Sequence, residues 1–65
     1  MDIKYYLGRF GEESHLFDDV KYGFIPSNGD FVNYENEVYK IMYTMVDWDH
    51  ETLLVFVRVA IEEDF

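Results

Sequence analysis

Apolar and polar residues alternate over most of this chain, and a period of two predicts a protein built mainly of β-strands. In residues 2–10, Ile3, Tyr5 and Leu7 share one face, Lys4, Tyr6 and Gly8 the other, and Gly11 closes the strand. Between Glu12 and Lys21 the alternation disappears. Leu16, Phe17 and Val20 stand at helical spacing instead, with Glu12 and Glu13 leading and Lys21 following, the charge order a helix dipole favours. A short helix is therefore predicted near residues 12–21, broken at Gly23. Pro26-Ser27-Asn28-Gly29-Asp30 predicts a turn. Beyond it, Phe31–Tyr34 reads as a short strand, and Glu35-Asn36-Glu37 as a tight connection in which Asn accepts a positive φ. Val38–Val46 reads as a long strand, Asp47–Thr52 as a polar hairpin tip, and Leu53–Ile61 as a strand rich in β-branched residues. The charged tail Glu62-Glu63-Asp64-Phe65 is expected to fray.

Strands joined by such short turns predict an antiparallel meander in which sequence neighbours pair. A small sheet of this kind curls on itself, because closure removes exposed edges. The expected fold is mainly β: a small antiparallel SH3-like, partly open barrel or curled meander, with one short helix near residues 12–21. The alternative is an open sheet with that helix packed on one face. Sixty-five residues make a single domain with a thin core. There is no cysteine, so neither disulfides nor thiolate metal sites support that core, and an aromatic content of 20% takes their place. Small chains also gain stability by self-association, which makes a homodimer one expectation.

The segments Ile25-Pro26-x-x-Gly29-Asp30-x-Val32, Val38-Tyr39-Lys40-Ile41, Val46-Asp47-Trp48-Asp49 and Val55-Phe56-Val57 form a series. It resembles small SH3-like β-barrel proteins of bacteria and phages, which carry Pro-x-x-Gly-Asp-x-Val, then Tyr-Lys-Val and a closing valine-rich hairpin. The resemblance covers about residues 25–60. It implies an SH3-like fold and brings no functional residues with it.

The last two long strands are apolar on both faces. Leu53, Val55, Val57, Val59 and Ile61 oppose Leu54, Phe56, Arg58 and Ala60. In the preceding strand Tyr39, Ile41, Tyr43 and Met45 oppose Val38, Met42 and Val46, with Lys40 and Thr44. A half-exposed sheet alternates more cleanly than this, so two covers are needed. The 12–21 helix supplies one in the structural reading. Without it, Met42, Leu54 and Phe56 form an exposed patch and an oligomer face.

Fourteen acids against five bases give a net charge of −9 and a pI near 4.3. Such a chain repels nucleic acid and anionic membrane and attracts basic protein surfaces. Tyr5, Tyr6, Tyr39 and Tyr43 offer rings for base stacking, but the charge opposes a nucleic-acid backbone. Met1-Asp2-Ile3-Lys4 has no basic region followed by an apolar run, and no stretch approaches membrane-spanning length, so the cytoplasm is the expected compartment.

Little here suits catalysis, and no catalytic residue is expected. Ser14 and His15 are adjacent and point apart, while His50 sits on a solvent-open tip where a base is hard to orient. Carboxylate pairs abound, but a chain this short has little volume for a substrate cleft. Asp47, Asp49 and Glu51 alternate like the start of a calcium loop, yet Thr52 and Arg58 stand where glycine and glutamate are required. His15 with Asp18 and Asp19 is a weaker set, and zinc asks for more nitrogen or sulfur ligands than two histidines supply. The four glycines are scattered, so there is no phosphate loop. No metal and no cofactor are expected.

Two functions follow, and a third class, a ligand-sequestering oligomer, stays open with no feature of the sequence behind it. One is a non-enzymatic acidic protein-binding module, of the kind a phage-type inhibitor uses to occupy a basic nucleic-acid-binding surface of a host defence protein. The other is a structural or oligomeric small barrel whose acidity serves solubility. The candidate partner-binding residues are Asp47, Trp48, Asp49 and Glu51, together with Glu12, Glu13, Asp18 and Asp19. Trp48 between two aspartates suits an Arg-lined groove; its alternative role is to fold back and cap the core. A folded chain of 7.9 kDa exposes on the order of 4,400 Å², or about 490 Å² per net charge. Duplex DNA carries a charge per roughly 100 Å² of outer surface, so mimicry requires the acids to cluster on one side.

Overall fold

The computed structural model describes residues 2–19 and 27–65. Met1, the helix end predicted at Val20 and Lys21, the break at Gly23 and the Ile25-Pro26 start of the resemblance lie outside the described residues. The elements are β1 (Asp2–Leu7), β2 (Ser14–Asp19), β3 (Phe31–Tyr34), β4 (Glu37–Asp47), β5 (Thr52–Val59) and a 3₁₀ turn over Glu62–Asp64. The strands form one sheet in the order β2-β1-β5-β4-β3, curled into a half-barrel. The mainly β expectation therefore holds.

The helix predicted near residues 12–21 does not form over its described part; Ser14–Asp19 is a strand paired antiparallel with β1. A bulge accounts for the missing alternation. Tyr5 pairs with Phe17 and Tyr6 with His15, which leaves Leu16 as an extra residue in β2. Leu16 and Phe17 consequently both pack against the core, a spacing that resembles a helix when read from sequence. The turn leading into β2 needs Gly8 at φ 105, where its N–H donates to the Val57 carbonyl at 2.9 Å and a Cβ would meet the Glu12 carbonyl oxygen at 3.2 Å.

The all-antiparallel meander is also corrected. β1 runs parallel to β5, from Asp2 opposite Thr52 to Leu7 opposite Val57. The chain lays down β1 and β2, crosses to the far edge for β3, and returns through β4 and β5 to meet β1. The β3–β4 hairpin follows its turn chemistry. Tyr34 pairs with Glu37 around Glu35 (φ 51) and Asn36 (φ 65), the two positive values of a type I′ turn.

The concave face holds the core: Ile3, Tyr5, Tyr39, Ile41, Leu53, Val55 and Val57. Across its open side Phe17 of one edge strand stacks on Tyr5 at 4.4 Å and on Tyr34 of the other edge strand at 4.1 Å. A second bulge, at Met42, re-sorts β4. Ile41 pairs with Val57 but Tyr43 with Phe56, so beyond Met42 the side chains that lie beside Phe56 and Leu54 are Tyr43 and Met45. Thr44 and Val46 move to the core side, opposite Val55 and Leu53. Strict alternation through the strand assigns these four residues to the wrong faces.

The convex face has its own small core. Phe56 is 0% exposed, packed by Tyr43 (4.9 Å), Tyr6 (5.9 Å) and Phe10 (6.1 Å, edge-on). Phe10 arrives on the 8–13 connection, and its N–H donates to the Tyr43 hydroxyl at 2.8 Å. A loop thus supplies the second cover that a helix was expected to provide. The tail does not fray, since Asp64 ties the 3₁₀ turn to Arg58 and to the Ile61 N–H. No helix among the described residues is long and apolar enough to cross a membrane.

Phe56→Ala removes a fully buried ring and is expected to cost about 3–5 kcal/mol. A chain of this length has only about 3–10 kcal/mol of stability, so the variant should be largely or marginally unfolded at 25 °C. Urea denaturation checks this, and a midpoint equal to the parent's refutes the account of the convex core.

Candidate functional site

The β4–β5 tip is a four-residue connection, Trp48–Glu51, closed by the Asp47–Thr52 pair. Local chemistry makes it rigid. Asp47 accepts from the His50 backbone N–H at 3.3 Å, and its Oδ2 lies 2.9 Å from His50 Nδ1. An ionised carboxylate is acceptor only, so Nδ1 carries the proton. Hydrogen bonding from the His50 side chain is the chief reason the Asp47 carboxyl sits below its ordinary value. Glu51 adopts φ 50, the Thr52 hydroxyl donates to the His50 carbonyl at 2.9 Å, and the Asp2 N–H donates to the Glu51 carbonyl at 3.1 Å.

Trp48 rides on this frame and is 79% exposed. It does not fold back over the core. Asp49, His50 and Glu51 are exposed beside it.

The register decides which acids join the tip. Asp2, Thr52 and Asp47 form one row across β1, β5 and β4, and Asp19, Ile3, Leu53 and Val46 form the next. Asp18 and Asp19 therefore lie at the same end of the sheet as Asp47, Asp49 and Glu51. Asp19 is three strand spacings from β4, about 14 Å along the sheet. Glu12 and Glu13 are not brought in. They follow Leu7 and Gly8 at the far end of β1, roughly 17 Å away and about two Debye lengths at physiological salt. The predicted acidic set is thus split between two poles, and the tip pole gains Asp2. Asp2 escaped the sequence reading because only the parallel β1–β5 pairing carries it there.

The remaining candidates separate similarly. His15 Nε2 is 2.6 Å from Asp18 Oδ1 on one face, while Asp19 points to the other, where its charge and, chiefly, burial push the Tyr5 phenol up. Among the described residues no three His, Cys, Asp or Glu side chains are grouped to hold a metal ion. Of the expected oligomer face, Phe56 is enclosed within the chain and Met42 and Leu54 are half-buried. Phe31, Lys40, Arg58, Asp64 and Phe65 form a further cluster that no sequence spacing announces.

This chain matches no protein-family model, no curated protein and no solved structure.

The lowered Asp47 carboxyl has a consequence for pH. Its folded-state value lies below its unfolded value of roughly 3.9, so its contribution is complete above that pH and is lost as the pH falls through the folded value. Parent and Asp47→Asn are expected to differ in stability at pH 7 and to converge in acid below about pH 4. Thermal melts at pH 7, 5 and 3 check this, and a gap that widens in acid contradicts it.

Proposed function

We propose that this chain is a non-enzymatic binding module whose acidic β4–β5 tip docks on a basic surface of another protein. The observation that carries this reading is Trp48, a large ring held out in water between Asp47 and Asp49. Tryptophan is among the residues most enriched at interface hot spots, because burying its ring on docking recovers a large apolar area. Its face also attracts guanidinium groups, and the flanking carboxylates pair with them. The hydrogen bonds that fix the tip lower the ordering cost of docking. Asp2, in the same row as Asp47, adds to this negative field and favours encounter with a basic partner, whereas Asp18 and Asp19 stand more than a Debye length across the sheet.

We assign the target to proteins whose basic surface serves nucleic acid, and the action to occupying that surface, as a phage-type inhibitor of host defence does. The net charge of −9 supports that assignment, because an acidic chain is drawn to the basic surfaces that hold nucleic acid. Like charge keeps the chain itself off nucleic acid and anionic membrane.

The test is capture from bacterial lysate with the parent and Trp48→Ala chains as baits, at low and high salt, read by mass spectrometry. A basic protein held by the parent at low salt and lost at high salt is expected. In the isolated pair, Trp48→Ala should weaken binding by about 30-fold, the effect of a 2 kcal/mol hot spot. Identical captures by both baits, or an empty parent bait, refute the proposal.

A further inference from the structure

Lys40 and Arg58 stand directly opposite each other on β4 and β5, two of only five Lys and Arg in the chain. Like charges so placed repel unless an anion lies between them. The anion is Asp64. Arg58 Nη1 and Nη2 donate to its two carboxylate oxygens at 2.8 Å each, Lys40 Nζ lies 3.5 Å from Oδ1, and the Ile61 N–H donates to Oδ2 at 2.7 Å. The Asp64 side chain is only 8% exposed. The next residue, Phe65, stacks its ring on Phe31 of β3 at 5.0 Å and 16°, with Lys40 Nζ 5.6 Å from the Phe31 centroid.

Seat and occupant differ in how firmly they are held. Phe31, Lys40 and Arg58 project from paired strands. The occupant is a three-residue 3₁₀ turn outside the sheet in which the Asp64 carboxylate is enclosed, while Phe65 remains 78% exposed. The segment adds no strand to the sheet and rests on the Asp64 contacts and one ring stack, so it opens at lower cost than the sheet unfolds. The seat is also separate from the tip: Arg58 lies six residues along β5 from Thr52, about 20 Å.

We propose that Phe31, Lys40 and Arg58 form a binding surface for peptide segments in which a carboxylate side chain is followed directly by an aromatic residue. Residues 61–65 occupy that surface in cis as a displaceable latch. The recognition is specific because two of its elements are geometric. The guanidinium fork takes a carboxylate bidentately, and one peptide unit further on the ring finds Phe31. A tethered occupant competes at an effective concentration on the order of millimolar, so the closed chain binds such a peptide in trans only near that concentration.

The test uses a fluorescein-labelled peptide, Ala-Ile-Glu-Glu-Asp-Phe, and anisotropy at physiological ionic strength. It is added to the full chain and to a full-length latch-open variant carrying Asp64→Ala and Phe65→Ala. The open variant should bind at least about tenfold more tightly than the parent. Adding Arg58→Gln to it, or replacing the peptide's Asp by Asn, should abolish binding. Equal affinity for parent and open variant, or binding indifferent to Arg58→Gln, overturns the proposal. Should the open variant fail to fold, unlabelled peptide is titrated into the parent to tens of millimolar and followed by NMR. Saturable shifts at Arg58 and Phe31 then support the proposal, and their absence overturns it.

Discussion

The half-barrel depends on three rings in contact. Tyr5, Phe17 and Tyr34 come from β1, β2 and β3, and Phe17 and Tyr34 belong to the two edges of the same sheet. An open sheet of this size leaves a concave apolar face to water. Drawing its edges together until their rings stack covers that face without a second layer. Each stacked pair contributes about 0.5–1.5 kcal/mol beyond the area it buries. That gain matters in a chain with no disulfide and a short core. The curl it requires is consistent with the bulges at Leu16 and Met42, which bend β2 and β4 and increase their local twist.

Curling one face inward leaves the other convex and apolar at Phe56. The chain covers that point locally, with Phe10 carried on the 8–13 connection and tied to the Tyr43 hydroxyl. Farther along the same face, charge takes over from apolar contact. Lys40 and Arg58 oppose each other and are bridged by Asp64, while Phe65 stacks on Phe31. The Asp64 carboxyl is accordingly held well below the usual carboxylate range, first by Arg58 and then by the Ile61 N–H. One face is thus served by two short segments of irregular backbone, neither of which contributes to the sheet.

The strand ends inherit their chemistry from this arrangement. Because β1 is parallel to β5, the start of the chain meets the β4–β5 tip, and Asp2, Asp18 and Asp19 join Asp47, Asp49 and Glu51. Glu12 and Glu13 are carried to the opposite pole. The acids singled out from the sequence are therefore divided between two ends of the sheet, and the exposed Trp48 stands at only one of them.

What the sequence determined by itself is local. Period-two alternation marks β1 and β5, the Glu35-Asn36 turn marks the β3–β4 hairpin, and the polar run at 47–52 marks a tip, because each rests on residues that touch within a few positions. The exclusion of disulfides and the sign of the field follow from composition alone. Tertiary structure decided the rest. A bulge adds one residue without changing composition, so Leu16 and Phe17 imitate a helix and Tyr43 and Met45 change faces past Met42. The parallel β1–β5 pairing and the edge-to-edge stack join residues tens of positions apart, and no local period records such a contact. Whether Trp48 caps the core or stands in water, and whether Asp64 frays or is clasped by Arg58, depends on which strands lie alongside, which only the folded sheet specifies.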